Sequence, residues 1–354
     1  MKWSLLLFFV LLLFFFLVFS STSKLSGAAS IVRTIVVDPN HKGDFTSIQE
    51  AIDSIPNNNT HWIKIHVAAG VYREKVNLSQ SKRYVFLEGE GAHRTSIEWG
   101  DHSPDRRGHG GKATATFTSS ASSFVAAGIA FKEGDSIMQI KSSLIRMFLL
   151  QNTYDGSVNI RQALAAAISG DKSSFYNCSF IGFQDTLFDR KGRHYFKDCY
   201  IEGVMDFIFG NGQSIYEGCT ISLIQSAMKP GFVTAQGRGS PKDPGGFVFK
   251  SCNVTGFQET YLGRAWGAYS RVIFYRTFMS GIIIPQGWYA WNAIGHEGNI
   301  TYAESECVGP GSNHSRRVEW ERKLSNIELR YFIHMTYIDR EGWLNEQPKS
   351  SWSY

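Results

Sequence analysis

The sequence predicts an all-β protein, a single-stranded right-handed parallel β-helix, which is a solenoid built from stacked rungs of short strands. Four segments repeat the same pattern, an aromatic residue followed by two mostly polar residues and a cysteine: "FYNCSF" (175–180), "FKDCYI" (196–201), "YEGCTI" (216–221) and "FKSCNV" (249–254). The first three cysteines are 21 and 20 residues apart, and the gap of 33 to the fourth leaves room for one rung with a long loop. Repeats of this period, with glycine turns and no 3.6-residue apolar rhythm, are typical of a parallel solenoid.

The N-terminal residues predict export. Lys2 precedes an apolar run at 5–19, which is followed by small polar residues. This run is shorter than a membrane span needs, so we expect a cleavable signal peptide over 1–23, with a boundary as late as about residue 29. Six Asn-x-Ser/Thr sequons agree with a secreted, extracellular glycoprotein: Asn58, Asn77, Asn177, Asn253, Asn299 and Asn313. Asn177 and Asn253 lie beside cysteines in strand-like runs, so we expect those two to be buried and unmodified.

The rest of the chain, residues 33–346, is predicted to form one catalytic domain. Earlier segments, 63–70, 84–91 and 124–132, have the same strand-then-glycine character, and 43% hydrophobic residues in 354 suffice for a large core. The net charge of +5 favours polyanions such as acidic polysaccharide, and solubility explains it equally well. No dense Lys/Arg run predicts nucleic-acid binding. Five cysteines leave at least one thiol unpaired, and we expect a monomer.

Two aspartates follow the repeat. Asp185, in "GFQDTLF", is seven residues after Cys178, and Asp206, in "VMDFIFGNG", is seven residues after Cys199. If the cysteines stack, the carboxylates face each other on adjacent rungs, about 4.8 Å apart. Such a pair should keep one acid protonated and the other ionised, as a general acid beside a nucleophile requires. The alternative is a ladder of aspartates that cap turns.

Other polar and aromatic residues fall near the same register. Gln162 and Gln184 are 22 residues apart, and their amides are candidates to stabilise an oxyanion, although an amide ladder fits the spacing nearly as well. Arg264 is a candidate counter-ion, and Trp266 offers a flat face for a sugar ring, with surface packing as the alternative. Glu259, in "GFQET", lies on a farther rung and should not reach Asp206.

The sequence resembles the plant pectin methylesterases, or pectinesterases, in the form without an N-terminal inhibitory domain. The resemblance spans nearly all of residues 33–345, and "QDTL" followed by "DFIFG" is its most specific part. The matching segments are "GDFTSIQEAIDSIP" (43–56), "GVYREKV" (70–76), "QALAA" (162–166), "GFQDTLF" (182–188), "DFIFGNG" (206–212), "VTAQGR" (233–238), "YLGRAW" (261–266) and "PQGWYAW" (285–291).

The resemblance implies a secreted cell-wall enzyme that hydrolyses galacturonate methyl esters in pectin and releases methanol. It makes Asp206 the nucleophile and Asp185 the proton donor and later base. The other roles that it implies are oxyanion stabilisation (Gln162, Gln184), a grip on the nucleophile (Arg264) and substrate contact (Trp266, Thr114, Gln162). It implies no metal or cofactor, and any inhibitor would be a separate protein.

One stretch departs from the family pattern. Family members pass almost directly from "GIAFK" to "NTYDGS", whereas this chain carries an atypical insertion at 133–151. It is either a loop over the solenoid or a segment read through from an unspliced transcript. The insertion keeps a non-catalytic pectin-binding solenoid open as an alternative function.

Three other enzyme classes fit these residues less well. Carboxylates about 5 Å apart also suit a retaining glycosidase, but the glutamine pair favours acyl chemistry. A pectin lyase would be expected to gather acidic calcium ligands, and the sequence shows no such cluster. No G-x-S-x-G motif indicates a serine hydrolase.

Overall fold

Three parallel sheets form the molecule, and the chain passes through them in turn. The computed structural model describes residues 29–101, 111–133, 162–226 and 228–349. Every strand pairs in parallel with the equivalent strand of the next rung, so the predicted parallel β-helix is confirmed. The predicted signal peptide, 1–23, and residues 134–151 of the predicted insertion lie outside the described residues.

Each sheet takes one strand from successive rungs. Sheet 1 has ten strands: β1 (Ile31–Val37), β2 (Trp62–Val67), β5 (Val85–Gly89), β8 (Phe124–Ala127), β11 (Ser173–Tyr176), β14 (Arg193–Lys197), β17 (Gln213–Glu217), β20 (Gly246–Lys250), β23 (Arg271–Tyr275) and β26 (Thr301–Ser305). Sheet 2 has eight: β3 (Gly70–Tyr72), β6 (Thr95–Trp99), β9 (Ala130–Glu133), β12 (Ser179–Ile181), β15 (Tyr200–Gly203), β18 (Thr220–Leu223), β21 (Asn253–Gly256) and β24 (Phe278–Met279). Sheet 3 has eight: β4 (Val76–Leu78), β7 (Phe117–Ser119), β10 (Ala166–Ile168), β13 (Leu187–Asp189), β16 (Met205–Gly210), β19 (Gly231–Gln236), β22 (Thr260–Ala265) and β25 (Trp288–Tyr289).

The aromatic residue of each repeat stacks on the next inside the solenoid. The ring centroids of Phe175, Phe196, Tyr216 and Phe249 are separated by 4.8, 4.5 and 4.7 Å in succession. Strand β20 pairs directly with β17, so the gap of 33 residues is a single rung with a long loop, as the sequence predicts. The rings exclude water from the core and fix the register of the rungs around them.

The polar position before each cysteine makes the turn between sheets 1 and 2. Asn177, Asp198, Gly218 and Ser251 have φ values of 48°, 52°, 66° and 53°. This left-handed region suits glycine and short polar side chains, which explains the residue types found there. All five cysteines are described, and each is a free thiol.

The prediction that two sequons are buried is wrong for one of them. Asn177 is half-buried, whereas Asn253 is exposed. Asn253 begins β21, and its side chain points away from the core because strand residues alternate between the two faces, so that Val254 is the buried residue.

In the part of the chain that the structure describes, two short helices flank the solenoid. Helix α1 (Ile48–Asp53) starts at Ser47, whose side chain accepts the Glu50 N–H, and its apolar side joins the core. Helix α2 (Asn326–Ile333) begins with a capping box formed by Ser325 and Glu328. Within the described residues, no helix has the length and apolar character to cross a membrane. Short 3₁₀ turns occupy Gly111–Thr114, Trp291–Ala293, Glu297–Asn299, Pro310–Ser312, His314–Arg316 and Met335–Tyr337.

Candidate active site

Asp185 and Asp206 lie on adjacent rungs beside sheet 3. Gln184 pairs with Met205, and the Asp185 N–H donates to the Met205 carbonyl at 3.1 Å. The same 21-residue register continues into β13 and β16, where Leu187 is opposite Ile208. The spacing from the cysteines therefore places the two aspartates side by side, as predicted from the sequence.

Local backbone geometry directs both carboxylates. Asp185 and Asp206 have φ values of 64° and 50°, a region that aspartate tolerates better than most residues. Strand β16 also shifts register against β19 between Met205 and Ile208. An irregularity of this kind changes the direction of a side chain relative to the regular alternation of a strand. This accounts for a charged residue beside Phe207 in an apolar strand.

Arg264 holds Asp206 from β22, two strands away. Its Nε donates to Asp206 Oδ1 at 2.8 Å, and its Nη2 donates to Oδ2. The guanidinium lies between two aromatic rings, 4.5 Å from the Phe232 centroid and 3.9 Å from the Trp291 centroid. A bidentate contact between rigid neighbours favours the ionised form of Asp206 and fixes its orientation.

The two carboxyls differ in electrostatic environment. Burial raises the pKa of Asp206, and the hydrogen bonds and charge of Arg264 oppose that rise. Burial raises the pKa of Asp185 well above its usual range, the charge of Asp206 raises it further, and only Arg264 opposes. These environments therefore favour a proton on Asp185 more strongly than on Asp206, whose ionised form Arg264 stabilises.

The two predicted glutamines are also brought to this place. The Ala163 N–H donates to the Gln184 carbonyl at 3.3 Å, so Gln162 and Gln184 lie next to each other on consecutive rungs. Both are partly buried, and Gln162 Oε1 is a buried atom without a hydrogen-bond partner among the described residues. Thr114 lies one rung earlier, since Thr116 N–H donates to the Leu164 carbonyl, and it is only 4% exposed.

Trp266 and a row of other aromatic rings cover the outside of sheet 3. Trp266 is 44% exposed, and its ring centroid is 6.0 Å from that of Phe209. Gly237 is required behind it, because a Cβ at that position would approach the indole to 2.8 Å. Phe209 stacks on Phe188 at 4.4 Å. The Trp266 face is thus held in place and open to solvent.

Several neighbours of the site escaped the sequence analysis. Trp291 covers Arg264, and Phe232, Tyr261 and Tyr289 form a second aromatic group, with Phe232 and Tyr261 stacked at 5.0 Å. The sequence signal that could have revealed this group is the spacing between rungs, because Phe232 is opposite Tyr261 in the register of β19 and β22. The third aromatic residue of "PQGWYAW" was visible in the sequence, but its contact with Arg264 was not.

Two other acidic sites lie apart from this one. Glu259 is exposed in the turn before β22. The charged partner of Asp206 is Arg264, the counter-ion that the sequence analysis named. Within the described ranges, Glu304, His314 and Glu321 have the donor set for a metal ion. Arg317 already donates to both oxygens of Glu304, and Lys323 donates to Glu321 at 2.6 Å, so cationic side chains balance this group.

Known proteins of similar sequence and structure agree with the geometry. The family model for Pectinesterase matches residues 34–146 and 136–341. The chain is 44% identical over 325 residues to putative pectinesterase 10 of Arabidopsis thaliana, covering 91% of this chain and 89% of that protein. It is 42% identical over 324 residues to probable pectinesterase 55 of the same plant, covering 89% and 91%.

Solved structures extend the likeness to the fold. The pectin methylesterase from carrot superposes with a TM-score of 0.79 at 26% identity, covering 92% of this chain and 99% of that one. The pectin methylesterase from Aspergillus niger superposes with a TM-score of 0.72 at 26% identity, covering 90% and 97%.

A parallel β-helix of this kind, with the family matches along its length, defines a carboxylic ester hydrolase. The chain belongs to the pectinesterase family, whose activity is the hydrolysis of methyl esters in pectin. The resemblance stated from the sequence motifs is thereby confirmed.

Proposed function

We propose that Asp206 is the nucleophile and Asp185 the general acid and base in the removal of methyl groups from galacturonate units. The observation that carries this proposal is the asymmetry of the pair. Asp206 is bound by Arg264 through both oxygens, whereas burial and the neighbouring charge favour the protonated form of Asp185.

The reaction would proceed in two halves. An Asp206 oxygen attacks the ester carbonyl, and the oxygen that gains charge is stabilised by amide N–H groups of Gln162 and Gln184. Asp185 gives its proton to the departing methoxide, so methanol leaves and an acyl-enzyme anhydride remains. Asp185, now ionised, takes a proton from water, and the resulting hydroxide attacks the galacturonyl carbonyl. Release of the acid regenerates both aspartates.

The aromatic residues would bind the polysaccharide. Trp266 presents an exposed ring beside Phe209, and flat rings stack on sugar faces. We also assign substrate contact to Thr114. Because its side chain is buried, it can contact only a substrate group that enters the site. We infer a secreted monomer that acts in the cell wall and is open to control by a separate inhibitor protein. The inference of secretion is supported by the apolar run at 5–19 and by the exposed sequons.

The test is methanol release from highly methylated pectin by the purified secreted protein, with the length of the polymer followed in parallel. An esterase releases methanol and leaves the chain length unchanged. A glycosidase would shorten the polymer without releasing methanol, and a non-catalytic solenoid would bind pectin and do neither. Either of the last two results would overturn the proposed function.

A further inference from the structure

A third buried carboxyl lies directly behind the aspartate pair. Glu133 ends β9 opposite Trp99 and is 1% exposed. Its Oε2 accepts the N–H of Phe183 at 3.2 Å, although 50 residues separate the two in sequence. Phe183 belongs to the turn that carries Gln184 and Asp185. The Glu133 carboxyl is therefore attached to the backbone that positions both groups.

The turn is built closely around this carboxyl. A Cβ at Gly182 would approach Glu133 Oε2 to 3.0 Å and Thr186 Oγ1 to 2.6 Å. Thr186 Oγ1 in turn donates to the Glu202 carbonyl at 3.0 Å on the next rung. Because Gly182 leaves no spare space, a change in the length of the Glu133 side chain should move the Phe183 amide.

Glu133 also acts on Asp185 through its charge. The charged groups that act on Asp185 come from three different strands: Asp206 on β16, Arg264 on β22 and Glu133 on β9. Lys132, the neighbour of Glu133, donates to Glu98 at 2.8 Å instead. Burial raises the pKa of Asp185, the negative charges of Asp206 and Glu133 raise it further, and the positive charge of Arg264 opposes them. Arg264 donates to Asp206, and the Phe183 N–H donates to the Glu133 carboxyl.

We propose that Glu133 is a positioning residue, which holds the Gly182–Asp185 turn through the Phe183 amide and, by its negative charge, keeps the proton on Asp185. The inference rests on the proposed role of Asp185 as the proton donor. It predicts two separable effects, one on the geometry of the turn and one on the pH at which Asp185 loses its proton.

Glu133→Gln separates these effects, because a glutamine oxygen still accepts the Phe183 N–H but carries no charge. We expect its kcat at the optimum to stay within about threefold of wild type. Asp185 acts as an acid in its protonated form, so activity falls as the pH rises through its pKa. Removal of the nearby negative charge lowers that pKa, and the high-pH limb should move down by roughly half to one pH unit.

Glu133→Ala removes the acceptor as well and should lower kcat by a further tenfold or so. Glu259→Gln is the matched control, since Glu259 is exposed in the repeat-related "GFQET" segment. Its pH profile should equal that of wild type. A Glu133→Gln profile that overlays wild type would overturn the charge effect, and a Glu133→Ala variant with wild-type kcat would overturn the turn effect.

An experiment independent of activity uses protein labelled with ¹³C at the aspartate carboxyls. The Asp185 signal is identified by its loss in Asp185→Asn, and its titration midpoint is compared between wild type and Glu133→Gln. A lower midpoint in the variant supports the inference even if Glu133→Ala fails to fold, and an unchanged midpoint contradicts it. Absence of methanol release from wild type would remove the proposed function, while the titration would still decide the inference.

Discussion

Two buried carboxylate sites, four residues apart in the chain, differ in how completely they are compensated. Asp189, at the end of β13, is 0% exposed, and its oxygens contact His194 Nδ1 at 2.6 Å and the Tyr216 hydroxyl at 2.8 Å. His194 Nε2 faces the Gly170 carbonyl at 3.0 Å. Both ring nitrogens of His194 therefore face oxygen atoms, one of the Asp189 carboxylate and one of the backbone.

The site of Asp185 and Asp206, at the other end of the same strands, is incompletely balanced. One guanidinium, that of Arg264, serves two aspartates, and the pKa of Asp185 is raised well above its usual range by burial and by Asp206. The comparison teaches that a buried carboxylate with a partner on each oxygen belongs to the scaffold. A buried pair that shares one cation keeps a proton available for chemistry.

Asp206→Asn should have the largest effect. A neutral amide of the same shape cannot act as the nucleophile, so we expect methanol release to fall by about 10⁴-fold or more. Circular dichroism and secretion should be unchanged. Turnover above about a tenth of wild type would show that Asp206 belongs with Asp189 among the structural carboxylates.

Asp189→Asn should lower the stability of the fold and leave the activity nearly unchanged, the reverse of Asp206→Asn. It replaces the buried carboxylate that contacts His194 Nδ1 and the Tyr216 hydroxyl by a neutral amide. Hydrogen bonds to a carboxylate contribute about 1.5–3 kcal/mol each, so weakening both should cost about 3–5 kcal/mol. The free energy of unfolding from urea titration should fall by that amount, while turnover per folded molecule stays near wild type. Tyr216→Phe removes only a hydrogen bond and should cost less, about 1.5–3 kcal/mol. A large loss of turnover in Asp189→Asn would show that Asp189 also takes part in catalysis, and the distinction between the two sites would then be wrong.

Gln184→Ala tests the surroundings of the reactive pair. The loss of one oxyanion donor should lower kcat by about 10²-fold with little change in KM, because the charge on the carbonyl oxygen develops in the transition state. Gln258, at the related position of "GFQET", is the matched control. Its Nε2 donates to the Met228 carbonyl at 3.1 Å, so Gln258→Ala should lower stability by about 1 kcal/mol and leave kcat alone. A loss confined to KM would make Gln184 a binding residue.

Deletion of residues 134–151 should have the smallest effect, because the residues that form the two carboxylate sites all lie outside this stretch of sequence. The deletion keeps Glu133, the first residue of the predicted insertion, because it belongs to β9 and its carboxyl contacts Phe183. Joining Glu133 to Asn152 should change the unfolding free energy by less than about 1 kcal/mol, since loop-closure entropy depends weakly on length. Melting temperature and methanol release would be compared, and a deletion variant that does not fold would show that the stretch is part of the core.

The sequence by itself determined the rungs and the meeting of the two aspartates. A repeated aromatic position and a common distance from each cysteine suffice for this, because a parallel solenoid converts a difference of about 21 residues into contact between neighbouring strands. Arg264 and Trp266 were found through motif resemblance rather than spacing.

Only the tertiary structure decided which buried charges are balanced. Asp189 and Asp206 both lie among apolar residues, and nothing local tells that one meets His194 and Tyr216 while the other shares Arg264 with Asp185. The contact of Glu133 with Phe183 and the packing of Trp291 on Arg264 were hidden for the same reason. These contacts join rungs through side chains, and the direction of a side chain depends on local bulges, left-handed turns and packing, which a regular spacing does not encode.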